Sequence, residues 1–223
     1  MNDVNTEQAQ QTEKDGDSKT GISGEKLNLI IALCAILISA ASFYATYLQA
    51  DAAERQVKAM TLPLVQFTSE NWDNELRKQE LTLSLKNAGV GPAIIKRVDY
   101  KYQGKSYASL SEFYRACCEA EATEYFNRVK ENIRENKVDT EGIYITSPLI
   151  NSIIPGQEKT EFLTFTLAKK NQQFWQKLND ERFYLTLKVC YCSLLGECYN
   201  TEKNGIVEPI EYCPVRQEKS KIL

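Results

Sequence analysis

The longest uninterrupted pattern in the chain is a block of apolar residues, "LNLIIALCAILISAASFYATYLQA", that carries no charge from Leu27 to Ala50. A helix of roughly 20 such residues crosses the hydrocarbon core of a bilayer, so the pattern predicts a transmembrane helix over 27–50. A buried core helix of this length would keep a polar stripe. A cleaved signal peptide fits poorly, because the preceding segment is long and acidic and apolar residues continue past "SAAS". Tyr44 and Tyr47 fall near the C-terminal end, where tyrosine favours the membrane interface. Ahead of the block, residues 1–26 hold almost no large apolar side chain and read as a disordered tail. Behind it, "DAAERQVKAM" is rich in helix formers and extends the helix over 51–61, until Pro63 stops it.

From residue 62 the period changes to two. "LPLVQFTS" and "LTLSLKN" alternate, with Leu81, Leu83 and Leu85 on one face and Thr82, Ser84 and Lys86 on the other, the pattern of a half-buried strand. "AIIKRVDYKYQG" followed by "KSY" reads as a hairpin, and "TEFLTFTLA", "RFYLTLKVCYCS" and "ECYNTEK" as further strands. Short apolar runs flank Pro148, and "NQQFWQKLND" forms a short helix. Between the strands lies a different rhythm. Leu110, Tyr114, Cys118, Ala122, Tyr125, Val129 and Ile133 recur at spacings of three or four, which predicts one amphipathic helix over 109–135 inserted in the sheet pattern, capped by Ser109 or Ser111. Short strands without a βαβ rhythm point to a mainly β fold: an antiparallel immunoglobulin-like β-sandwich over 62–216, with residues 217–223 as a flexible tail.

Charge narrows the partners. The net charge of −3 lies wholly in residues 1–26, with three lysines against six acids, so the body is neutral and offers no footprint for nucleic acid. The positive-inside bias is slight, three lysines before the apolar block against Arg55 and Lys58 just after it. Six cysteines lie beyond the block, an even number that suits disulfides in an oxidising compartment. No N-x-[ST] sequon occurs, which fits a bacterial periplasm better than a eukaryotic cell surface. The expected placement is therefore a bacterial inner membrane, N-terminus cytoplasmic and C-terminal domain periplasmic.

One turn carries a resemblance. In "LSLKNAGVGPAIIKRVDY", Asn87, Gly89, Gly91, Pro92 and Ala93 form an N-x-G-x-G-P-A sequence, in which Asn and Gly accept positive φ and Pro92 opens the next strand. This resembles the turn of immunoglobulin-like domains in bacterial envelope proteins. The whole plan over roughly 27–205, with its late "YCS…GE.Y" hairpin, is similar to poorly characterised bacterial single-pass inner-membrane proteins. The resemblance implies a fold and no activity.

The candidate chemistry is sparse. The chain has no histidine, so Ser-His and Cys-His nucleophile pairs are excluded, and it contains no P-loop, G-x-G-x-x-G or H-E-x-x-H. Zinc is poorly matched by a CC pair, a CYC triplet and isolated Cys198 and Cys213. Disulfides remain the main reading. A three-residue loop Leu194–Gly196 sets Cys192 directly opposite Cys198, which predicts a bridge between them. Cys190 is then expected to reach Cys117 or Cys118 on the inserted helix, and Cys213 the other one. Cys34 reads as a packed, inert thiol in the apolar block. The charged helix face bearing Glu119, Glu121, Glu124 and Arg128 is the expected partner surface. The function these features suggest is a periplasmic binding or scaffolding module, not an enzyme and without a cofactor or metal, whose partners are the bilayer through 27–50 and an unidentified protein. The pairs Ala35/Ser39 and Ala41/Ala45 suit weak self-association. Two alternatives stay open: a periplasmic enzyme or thiol-redox factor using Cys117 and Cys118 or the acidic helix, and a cytosol-facing membrane-tethered adaptor with reduced thiols.

Overall fold

The computed structural model describes residues 23–137, 142, 144–202, 205 and 207–214, so residues 1–22 of the tail expected at 1–26 and all of the tail expected at 217–223 lie outside the described residues, whereas residues 24–26 belong to the first helix and not to a tail. Helix α1 (Gly24–Thr61) runs unbroken through the apolar block and the polar turns after it, and none of its residues is buried. It is long and apolar enough to cross a membrane. Its hydroxyls are satisfied internally: Ser39 Oγ donates to the Ala35 carbonyl and Thr46 Oγ1 to that of Ser42, both at 2.8 Å. Cys34, expected as a packed thiol, carries no bridge and is exposed on this helix among the described residues. The chain divides into two units after Ala53.

The second unit contains, in chain order, β1 (Val65–Glu70), β2 (Glu80–Asn87), β3 (Ala93–Tyr102), β4 (Lys105–Tyr107), α2 (Leu110–Cys117), α3 (Glu119–Arg134), β5 (Tyr144–Thr146), β6 (Ile153–Ile154), β7 (Lys159–Thr166), α4 (Gln172–Glu181), β8 (Leu185–Cys192), β9 (Cys198–Thr201) and β10 (Val207–Ile210). The strands form two antiparallel sheets. One has the order β1-β2-β7-β5; the other runs β10-β9-β8-β3-β4, with β6 also paired to β3. Their inner faces share one core, in which Leu81, Leu83 and Leu85 of β2, Phe162 and Phe165 of β7 and Leu187, Val189 and Tyr191 of β8 are buried. Tyr100 of β3 meets Phe162 edge-on at 6.2 Å, ring to ring between the sheets.

Three expectations are corrected. With 38 residues in α1 alone, the chain is a mixed α and β protein and not a mainly β one. Strand β2 is not half-buried. Thr82 and Ser84 are buried as well, because β1 and β7 flank the strand and the Ser84 hydroxyl pairs with that of Thr68 at 2.7 Å. The single helix over 109–135 is two helices, broken at Cys118, where φ is −150° and ψ 35°. Ile133, counted in its apolar stripe, is exposed beyond the end of the packed face.

The turn from Asn87 to Pro92 has a different basis from the one its sequence suggested. None of Asn87, Gly89 and Gly91 has a positive φ. The glycines are required by close approach: a Cβ on Gly91 would lie 1.9 Å from the Thr61 carbonyl oxygen, and one on Gly89 2.3 Å from that of Leu62. Asn87 is fully buried. Its Oδ1 accepts from the N–H of Leu64 at 3.0 Å and of Gly89 at 3.1 Å. Its Nδ2 donates to the carbonyls of Gly91 at 2.7 Å, Ile154 at 3.2 Å and Pro155 at 3.1 Å. One side chain thus joins the entry to β1, the turn into β3 and the end of β6.

Two predictions follow from this turn. Asn87→Ala leaves buried backbone groups without partners at about 1–3 kcal/mol each. Urea unfolding is expected to show a loss of about 3–5 kcal/mol, at the top of the range for single substitutions. Gly91→Ala is expected to cost about 2–3 kcal/mol by overpacking against the backbone at Thr61. A midpoint unchanged in either variant would show that the turn does not fasten the start of β1.

Candidate functional site: an interhelical cleft and three disulfides

Helices α2, α3 and α4 present an aromatic inner face and a charged outer one. Helix α2 starts where Ser109 Oγ accepts from the Glu112 N–H at 3.3 Å, while the Glu112 carboxylate accepts from the Ala108 N–H at 2.6 Å. Inside, Tyr125 of α3, Phe165 of β7 and Phe174 of α4 contact one another with ring centroids 5.3 to 5.6 Å apart. Tyr114 meets Phe174 edge-on at 5.5 Å and shares a 3.0 Å hydroxyl bond with Tyr144. The start of α4 is pinned by Asn171, which is buried. Its Oδ1 accepts from the Ala168 N–H at 2.8 Å, and its Nδ2 donates to the carbonyls of Thr166 at 2.8 Å and Gly142 at 3.3 Å. Trp175 Nε1 adds a 2.7 Å bond to the Phe165 carbonyl.

On the outer side, α3 and the start of α4 enclose a cleft of about 270 Å³. Glu121, Glu124, Tyr125 and Arg128 line one wall; Lys169, Lys170, Asn171, Gln172, Gln173 and Phe174 line the other. Three of the four residues expected on a partner surface therefore meet here, Glu121, Glu124 and Arg128, while Glu119 does not line the cleft. Arg128 sits over the Tyr125 ring at 5.9 Å. The opposing lysines and glutamines follow β7 in sequence, far from α3, and no local period in the sequence links the two walls. The charge of α3 reaches α4: the Lys177 ammonium is held above its usual pKa, first by its hydrogen bond to Glu181 and in smaller part by Glu121.

The sulfurs form two groups. Cys192 and Cys198 are bonded across the hairpin of β8 and β9, where they face each other in register. The loop is closed by Ser193 N–H to the Glu197 carbonyl at 2.8 Å, with Gly196 at φ +83°. The other expected pairings are wrong. Cys190 is bonded to Cys213, and Cys117 to its neighbour Cys118. Tyr191 points into the core, so Cys190 and Cys192 emerge on the outer face of β8. Cys118 lies in the core cluster on the inner side, and the sheet stands between the two groups. The segment after β10 carries Cys213 over the outer face, where its Sγ lies 3.9 Å from that of Cys192. The sulfurs of Cys192, Cys198 and Cys213 lie within 4.8 Å of one another, a spacing compatible with a metal, but as disulfides they offer no thiolate.

No family model matches the chain, and neither a curated protein nor a solved structure matches it. The structure defines a class by itself: an N-terminal apolar helix joined to a unit of antiparallel sheets with cysteines at bonding distance.

Burial raises the pKa of the Tyr114 hydroxyl well above the usual phenol value and pushes that of Tyr144 up to about 12. A raised folded-state pKa means that the folded form holds the proton more tightly. Their contribution to stability is complete below pH 10 and is lost as pH rises toward 12. Unfolding free energy measured across that window is expected to fall steeply, with the ring signals of Tyr114 and Tyr144, resolved by NMR, showing ionisation only together with unfolding. Ionisation of either of these two rings at pH 10 in a folded chain would contradict the buried placement.

Proposed function

We propose that the chain is a single-pass bacterial inner-membrane protein that carries an immunoglobulin-like, disulfide-bonded binding domain in the periplasm, its N-terminus in the cytoplasm. The cleft between α3 and α4 receives a protein partner. The observation that carries this reading is the cleft itself, with Glu121 and Glu124 facing Lys169 and Lys170 on helices anchored from behind by an aromatic cluster. Charges of both signs on a rigid backing select a segment that carries both charges in a fixed order, which favours specificity over raw affinity. The bonded cysteines beyond the apolar helix support an oxidising compartment.

Two measurements test the two halves of the reading. In intact cells treated with an impermeant maleimide, the second unit is expected to label only after reduction. Labelling that needs no reductant but requires inner-membrane lysis would place it in the cytosol. A photo-crosslinker at Gln173 is expected to yield a protein adduct that Glu121→Lys with Glu124→Lys abolishes, while the same crosslinker at exposed Lys105 yields none. An adduct unaffected by the charge reversal would remove the cleft from consideration.

A further inference from the structure

We propose that Cys117 and Cys118 form a reversible thiol–disulfide exchange site, whose substrate is a dithiol reductant and whose opening joins α2 and α3 into one helix. The inference concerns this segment alone and holds whatever the cleft binds.

The bridge joins neighbouring residues, so it closes almost no chain and removes almost no entropy from the unfolded state. Cys190–Cys213 and Cys192–Cys198, 23 and 6 residues apart in sequence, close real loops. What the neighbouring bridge does constrain is local. Side chains at i and i+1 of an α-helix diverge and do not face each other. A bonded pair is therefore incompatible with a helix running through it, and Cys118 accordingly leaves helical geometry and divides α2 from α3. The hydrogen bonds on either side are already helical: Cys118 N–H to the Tyr114 carbonyl and Ala122 N–H to the Cys118 carbonyl, both 2.9 Å. The sequence carries the unbroken alternative, since Leu110, Tyr114, Cys118, Ala122 and Tyr125 keep one helical stripe across the break.

This sets the site apart from the other two bridges. Cys192 and Cys198 stay opposed by the strand ladder when reduced, so their thiols remain at high effective concentration and re-form the bond. Once Cys117 and Cys118 are reduced, helix formation turns their thiols away from each other. Cys117 is half-buried and Cys118 is buried, which makes the Cys117 sulfur the point of attack. One thiolate of the reductant bonds to Cys117 Sγ and breaks the Cys117–Cys118 bond; Cys118 leaves as a thiolate and takes a proton. The second thiol of the reductant then attacks the mixed disulfide at the reductant's sulfur, releasing Cys117 as a thiol. The reductant ends as a disulfide, having given up two electrons and two protons.

The joined helix makes a specific demand. Helix α3 starts without a side-chain cap, and its first amides, Glu119, Ala120 and Glu121, have no acceptor within it. In a continuous helix they bond to the carbonyls of Arg115, Ala116 and Cys117. The full chain in detergent is titrated with dithiothreitol, alkylated, and mapped by peptide mass spectrometry, with hydrogen exchange followed in parallel. Cys117 and Cys118 are expected to alkylate before the other four bridged cysteines. Exchange at 119–121 is expected to slow by about tenfold or more at that step. The variant Cys117→Ser with Cys118→Ser is expected to show the slow exchange without reductant. Opening of this bridge together with or after the others overturns the exchange site. Unchanged exchange at 119–121 in both the reduced chain and the variant overturns the helix rejoining.

Discussion

Five backbone groups from three segments converge on the side chain of Asn87, and the second unit depends on that convergence. A buried amide with partners on both its oxygen and its nitrogen satisfies groups that no ladder reaches: the N–H at the entry to β1, the turn before β3 and the carbonyls that end β6. The environment is dry, so each bond is stronger than in water and each missing one is costly. The approach of the Thr61–Leu62 backbone leaves no room for a Cβ at Gly89 or Gly91. Tyr191 reinforces the same corner from the opposite sheet, its hydroxyl 3.4 Å from both the Val65 N–H and the Pro63 carbonyl, with the Thr201 hydroxyl donating to it at 3.2 Å.

The helices are organised on another principle. Their inner faces are aromatic and their polar anchors few, with Asn171 and Trp175 tying the start of α4 to the backbone around β7. Rings packed edge-on fix both spacing and orientation. The cleft is what remains on the outside when two helices are held by their inner faces, and its charges sit at a solvated rim where they select more than they stabilise. The cysteines obey the same partition. Those on the outer face of β8 are bonded to Cys213 and to Cys198 of β9, and the pair at the end of α2 is bonded to itself, because a sheet separates the groups.

What the sequence determined by itself is what depends on neighbours along the chain. An uncharged run writes the long helix, period-two alternation writes β2, β3, β7 and β8, and a glycine three residues into a loop sets Cys192 opposite Cys198. These are local effects of dihedral preference and side-chain period. Tertiary structure decided the rest. The partners of Cys190, Cys117 and Cys118 follow from which face of a sheet each cysteine occupies. The burial of Thr82 and Ser84 follows from the strands on either side. The cleft joins residues near 125 to residues near 170, which no window of sequence compares. The glycines of the Asn87 turn look like positive-φ positions in sequence, but the structure uses them for the approach of a distant backbone. The break at Cys118 shows the limit most clearly. Every local signal favours a continuous helix there, and one covalent bond between adjacent side chains, geometrically forbidden within a helix, overrides them.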